Sequence, residues 1–377
     1  MNIILLWGVI LSGVLDLVGN SPLISLSDVV VSGGPELVAK WERFNPAGSI
    51  KDRPALHLVE TAEQMGLLSP GGTIIESSSG NFGISLAMIA AVKGYRAIIL
   101  VDPKTTDANR AALEAFGAEV IVVHEQDDTG SYHKTRIKLA NELAREIPGS
   151  FRPDQCFNLL NAAAHYRGTA SEILAQFDDS LSAVVTTVST GGQLGGISRR
   201  LRGENREIEI IAADAVGSGI FQPDPAAYAT PGVGLGWTPS SVETSLVDRV
   251  LWVPDELAFI GCRMLARHEG LLTGASSGMA LVAALRLASE LPPDRKVCVL
   301  FSDGGDRYLN TVYSDEWLKK CGLATELRMD EFLRRCGELQ WHLDPCRQGP
   351  SMDEFQRTLD VPESTSLMSS TAFEDGE

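Results

Sequence analysis

The chain has no C-x-x-C pair and no zinc-ligand spacing among its six cysteines, at 156, 262, 298, 321, 336 and 346. That pattern sets aside metal clusters, and no metal is expected. In 377 residues such scattered thiols read as the reduced cysteines of a cytoplasmic protein. Positive charge is also short. Lys and Arg number 32 against 49 Asp and Glu, a net charge of -17, which excludes the basic face that nucleic acid requires. Beyond the first residues, no apolar run is long enough to cross a bilayer, so no membrane partner is expected. Met1 to Val18 is apolar, but it has no basic leading region. Asp16 interrupts it and no small-residue cleavage site precedes Gly19, so it does not read as a signal peptide. No internal repeat occurs. What remains, 44% hydrophobic residues and a mean hydropathy near zero, fits a globular protein with room for two domains.

Along the chain, short apolar runs alternate with helical spacings. Strands are expected at 37–40, 73–76, 97–101, 119–123, 183–188, 209–213 and 297–301. Helices are expected at 55–65, 84–93, 109–116, 134–145, around 199–201, and at 257–268 and 278–291. Gly94 and Gly117 stand where helix C-caps are favoured. Alternation of this kind implies two open α/β units with mostly parallel strands. After Gly322 the character changes. Leu327 to Leu343 reads as one amphipathic helix, and the Pro-, Ser- and acid-rich remainder reads as a mobile appendage.

Four stretches carry chemistry. Asn45 to Pro54 is a turn-rich loop entering a helix, with Ser49 placed as a cap and Lys51 in the first helical turn. An amine held there can lose its proton and form a Schiff base, although a lone lysine at a helix start is ordinarily just solvated. Ser77 to Gly83 joins a strand to a helix, and its amides and hydroxyls favour an anion. Ser189 to Gly196 has the same design. It lacks the Gly-Lys-Ser/Thr ending of a P-loop and does not sit where a dinucleotide fingerprint would. Gly274 to Gly278 opens another helix, with a serine able to meet a pyridine nitrogen. Each stretch alone also fits an ordinary turn or cap. Their conjunction suits pyridoxal 5'-phosphate.

Asn45–Ala55, Ser77–Gly83, Ser189–Gln193, Pro231–Gly234 and Glu269–Gly278 resemble, in order and spacing, the fold-type II pyridoxal-phosphate enzymes, which include cysteine synthase and cystathionine β-synthase. The similarity runs from about Leu15 to Leu318. It implies the tryptophan synthase β-like fold, with the cofactor in a cleft between two open, mostly parallel α/β domains. The larger, cofactor-binding domain would comprise 1–52 and 160–320, the smaller, mobile substrate-loop domain 53–159, and the extension 321–377. It further implies that Lys51 carries the cofactor and Asn81 bonds its ring hydroxyl. Ser189, Thr190, Gly191, Gly192 and Gln193 would cradle the phosphate, with Ser276 facing the ring nitrogen. Ser78, Ser79, Gly80 and Gln155 would hold the substrate α-carboxylate. A homodimer acting on small amino acids is implied as well.

Within the family, Asp303–Leu309 with Val312–Asp315, Asp102–Lys104 and Gly130–Arg136 are similar to the branch that joins O-phospho-L-serine to L-glutamate. That branch makes N-(2-amino-2-carboxyethyl)-L-glutamate for 2,3-diaminopropionate in siderophore biosynthesis. The resemblance makes Arg136 a substrate-carboxylate ligand. Gln155-Cys156-Phe157-Asn158 departs from the branch, which has tyrosine in its second position, and this bears on acceptor choice. Two other readings are cysteine synthase, with sulfide as acceptor, and a non-catalytic cofactor-binding partner protein.

Overall fold

The computed structural model describes residues 10–27, 29, 33–127, 130–204, 207–342 and 352–359. Residues 1–9 of the apolar start, and the chain after 359, lie outside them. The strands are β1 (Leu23–Leu26), β2 (Glu36–Trp41), β3 (Thr73–Ser77), β4 (Arg96–Val101), β5 (Glu119–Val122), β6 (Ser150–Phe151), β7 (Leu181–Thr187), β8 (Glu209–Ala215), β9 (Arg249–Val253), β10 (Lys296–Phe301) and β11 (Trp341–His342). They form a seven-stranded sheet in the order β1-β2-β10-β7-β8-β9-β11 and a four-stranded sheet in the order β5-β4-β3-β6. The four-stranded sheet is parallel throughout. In the larger sheet only the edge strands β1 and β11 run antiparallel.

The central strands are buried on both faces, which is why they read as continuous apolar runs and not as alternating ones. In β10 every residue from Val297 to Phe301 is buried. Helices Asp255–Met264 and Ala275–Ala288 pack on one face through Phe259, Met279 and Leu281. The other face is closed by Ile197 and Leu201 of helix Gly192–Gly203. Small residues at the helix crossings permit close approach. A Cβ on Gly278 would stand 2.1 Å from the Ala258 carbonyl oxygen. Parallel strands that all end on one side leave their carboxyl ends as a crevice, the place where such sheets bind ligands.

Several boundaries differ from those read in the sequence. The second helix runs from Asn81 to Lys93, not from 84, because the Ser78 hydroxyl accepts the Gly83 N–H at 2.9 Å and starts the turn earlier. Residues 257–268 do not form one continuous α-helix. It ends at Met264, widens into a π turn over Leu265–Glu269, and stops at Gly270. Leu327 to Leu343 is not a single helix either. The helix covers Met329–Glu338, after which Trp341–His342 pairs with β9, and the Trp252 and His342 rings stack at 3.5 Å. A further helix, Met352–Leu359, docks through Phe355, whose buried ring meets Tyr166 edge-on and lies under the Arg199 guanidinium. Among the described residues, no helix is long and apolar enough to cross a membrane.

Candidate active site

The Lys51 loop is built from its neighbours outward. The Gly48 N–H donates to the Asn45 carbonyl at 2.8 Å, and Gly48 takes a φ of 85°, which a side chain would strain. Ser49 is not the cap residue itself. Its hydroxyl accepts the Lys51 N–H at 3.2 Å, and Lys51 occupies the cap of helix Asp52–Gln64. The two residues after Lys51 are buried anchors. Asp52 accepts the Ala47 N–H at 2.7 Å and the Ser85 hydroxyl, and burial pushes its carboxyl up to about 6. Arg53 pairs with Glu42 at 2.6 Å and with Glu172 at 2.6 Å, and Glu172 also takes Lys40 at 2.8 Å. Breaking such a buried pair costs about 3–5 kcal/mol, so the loop is held firmly.

The Lys51 side-chain amine has no hydrogen bond or ion pair among the described residues. Burial drives its amine below its ordinary value, with Cys156 and Asp303 acting the other way. A desolvated, unpaired amine is the nucleophilic form.

The loops around it converge on the end of β10. Ile50 N–H donates to the Ser302 carbonyl at 2.8 Å, and Ser49 pairs with Asp303 in an isolated bridge. Asp303 is 2% exposed. Its Oδ2 accepts from Asn81 Nδ2 at 2.7 Å and from the Tyr308 hydroxyl at 2.7 Å, while Arg307 donates to Asn81 Oδ1. The Gly274 N–H donates to the Asp303 carbonyl at 3.1 Å, which brings the Ser276 helix to the same point. Gly274 has to be glycine, because a Cβ would stand 1.9 Å from Asp303 Oδ1.

The Ser189 loop arrives from β7. The Gln193 side-chain amide donates to the Thr186 hydroxyl, and Gln193 Oε1 accepts the Ser302 hydroxyl at 3.3 Å. Asn161 donates to Thr190 Oγ1 at 3.1 Å, and Ser189 Oγ donates to the Gly234 carbonyl at 3.4 Å. Gly191 takes a φ of 82°, and Cβ atoms on Gly191 and Gly192 would meet Val242 at 2.7 Å and Asn161 Oδ1 at 2.1 Å. The first amides of helix Gly192–Gly203 have no intrahelical acceptors, so the loop presents N–H groups without side chains in the way. These residues fit pyridoxal phosphate: an unpaired amine, a glycine cradle at a helix N-terminus, and a buried, unbonded Asp303 Oδ1 nearby. Gly192→Ala is expected to weaken pyridoxal phosphate binding about tenfold to 100-fold by displacing Asn161. Titration of the apo protein checks this, and unchanged affinity would contradict it.

On the smaller sheet, Ser78, Ser79 and Gly80 follow β3, and Asp102 follows β4. The Ser78 hydroxyl is engaged at the helix start. Arg136, 7% exposed, donates to Ser79 Oγ at 3.2 Å and lies 3.4 Å from Asp102. The sequence-predicted carboxylate ligand is therefore beside the predicted substrate loop. Gln155 is half-buried, with its backbone carbonyl accepting from Asn161 at 2.8 Å. The roles of Asp303, Asn161 and His133 were not read from the sequence. For Asp303 the available signal is an acid two residues after a buried strand. His133 has none, because its neighbours Cys156 and Trp237 are distant in sequence.

The sequence pattern of the family described as "Pyridoxal-phosphate dependent enzyme" matches residues 14–303. The N-(2-amino-2-carboxyethyl)-L-glutamate synthase of Ralstonia nicotianae is 39% identical over 311 residues, covering 82% of this chain and 92% of that protein. The enzyme of the same name from Cupriavidus metallidurans is 39% identical over 313 residues, with the same coverage of 82% and 92%. Among solved structures, an O-ureido-L-serine synthase superposes with a TM-score of 0.76 at 32% identity, covering 82% of this chain and 99% of that one. A hydrogen sulfide-producing enzyme from Fusobacterium nucleatum gives 0.75 at 33% identity, covering 80% and 99%.

Proposed function

We infer the reaction from one premise: the chain belongs to the pyridoxal-phosphate dependent enzyme family. It is a pyridoxal-phosphate dependent transferase that performs β-replacement on an activated L-serine. We propose O-phospho-L-serine and L-glutamate as its substrates, with N-(2-amino-2-carboxyethyl)-L-glutamate and phosphate as products. The observation that carries this choice is buried Arg136 beside Ser79, a cation for a substrate carboxylate that sulfide would not need. The names of the two bacterial relatives support it.

The cofactor, when bound, withdraws electrons from the substrate α-carbon, so that the β-substituent can leave and a nucleophile can replace it. The chain's own residues do the rest in this reading. Lys51, whose amine is desolvated and unpaired, would hold the cofactor and serve as the base for the α-proton. Ser189 to Gln193 would hold the phosphate, and Asn81, kept in place by Asp303 and Arg307, would bond the ring hydroxyl. Ser276, 7% exposed, is assigned to the ring nitrogen, where a hydroxyl leaves the ring uncharged and favours elimination over transamination. Ser78, Ser79, Gly80 and Gln155 are assigned to the α-carboxylate. We further place the protein in the cytoplasm, with residues 1–52 and 160–320 as one domain and 53–159 as a second that moves on substrate binding. The family resemblance supports a homodimer, which a sizing experiment tests against a monomer.

Mixing the enzyme with O-phosphoserine and either glutamate or sulfide, and weighing the products, decides the acceptor. Formation of cysteine in preference to the glutamate adduct would sink the reading. Arg136→Ala is expected to raise the KM of an amino-acid substrate about tenfold or more, with cofactor occupancy little changed. Lost occupancy would show that Arg136 serves the cofactor instead.

A further inference from the structure

We propose that Asn109 is a positioning residue for the substrate α-carboxylate: it pins the Ser79–Gly80 peptide so that the Gly80 N–H is left free for that carboxylate. The inference rests on the reading above that Ser78, Ser79 and Gly80 receive the carboxylate, and adds to it a residue from another element. Asn109 lies in the first turn of helix Asp107–Ala115, where its backbone N–H donates to the hydroxyl of the cap residue Thr106 at 3.3 Å. Its side chain reaches out of the helix instead. Asn109 Nδ2 donates to the Ser79 carbonyl oxygen at 3.0 Å. A carbonyl only accepts, so this partner settles which way the amide is turned. Asn109 Oδ1 is buried and has no partner among the described residues. The side chain thus leaves one polar atom unpaired and keeps the bond to Ser79.

In a planar trans peptide the C=O and the following N–H point in opposite directions. Holding the Ser79 carbonyl toward helix Asp107–Ala115 therefore turns the Gly80 N–H away from that helix. Among the described residues no acceptor meets this N–H. Gly80 borders open space, since an added Cβ would meet nothing within 4 Å. Gly80 also caps helix Asn81–Lys93, and the next residue, Asn81, is tied to Asp303 at 2.7 Å. Unpinned, the peptide could turn over. A half-turn would carry the Gly80 φ, now -131°, to the positive side, which glycine accepts freely. Arg136 holds Ser79 by its hydroxyl at 3.2 Å, but that bond does not fix the carbonyl.

L-serine and ethanolamine test this without assuming a leaving group or an acceptor, because both carry the amine and only L-serine has the carboxylate. Their binding to the holoenzyme is followed by the change in visible absorption. Asn109→Ala should raise the dissociation constant of L-serine about tenfold, in line with weakening one hydrogen bond to a charged group. Ethanolamine and pyridoxal phosphate affinities should stay within about twofold of wild type. Asn109→Asp has the same shape but accepts where asparagine donates, so it should weaken L-serine at least as much as alanine does. An acid in the first turn favours a helix, so the Asp variant would match wild type if Asn109 served only its own helix. L-serine affinity near wild type in either variant, or an equal loss for ethanolamine, overturns the proposal. A wild-type holoenzyme that binds L-serine no better than ethanolamine is a separate result: it overturns the assignment of the carboxylate to Ser78, Ser79 and Gly80, and this inference with it.

Discussion

Lys51→Ala is expected to give a folded protein that has no visible absorption and at least a thousandfold less turnover, roughly the range for losing a positioned base and nucleophile. The reason is local. Lys51 is the amine at the meeting point of the Ser189, Asn81 and Ser276 loops, it is desolvated, and among the described residues nothing pairs with it. The fold should survive, because the anchors of that loop are Asp52 and Arg53. Lys51→Arg should fail too, since a guanidinium stays protonated and cannot condense with an aldehyde. Turnover near wild type in either variant would remove the basis of the mechanism.

Asp303→Ala is expected to be the most damaging change away from Lys51. Its carboxylate takes donors from Asn81 and Tyr308 in a place only 2% exposed, and its backbone joins Ser49 on one side and Gly274 on the other. Alanine leaves a buried amide and a buried phenol without an acceptor, each costing about 1–3 kcal/mol. Stability, followed by the urea midpoint of the holoenzyme, should fall by about 2–6 kcal/mol. Pyridoxal phosphate affinity should fall with it, because Asn81 loses its tether. Asp303→Asn keeps one acceptor oxygen and should lie between alanine and wild type. A midpoint and affinity unchanged by alanine would show that Asp303 is a bystander.

Much of the fold is legible in the sequence because buried parallel strands leave continuous apolar runs. Glycine and proline mark the turns, as at Asn45 to Gly48. Strand Arg249–Val253 and helices Leu160–Arg167 and Thr169–Gln176 are harder to read. The strand is short and carries Arg and Trp, and the two helices abut at Gly168 without a run of turn residues between them. The extension shows the limit most clearly. Two residues, Trp341 and His342, become a strand only because β9 offers an edge, and Phe355 is buried only because Tyr166 and Arg199 receive it.

The candidate site divides in the same way. Lys51, Asn81 and the Ser189 loop sit at strand–helix junctions whose residue types announce an anion or an amine. Asp303 and the His133–Cys156–Trp237 group acquire their surroundings from segments far apart in the chain, so local pattern says little about them. Arg136 is intermediate: a helix arginine by spacing, yet folded in against Ser79 and Asp102.

The most direct measurement is borohydride reduction of the pyridoxal phosphate-loaded protein followed by peptide mapping. A single pyridoxyl group on the peptide containing Lys51 is the predicted result. Label on another lysine, or none at all, would contradict the account at its root.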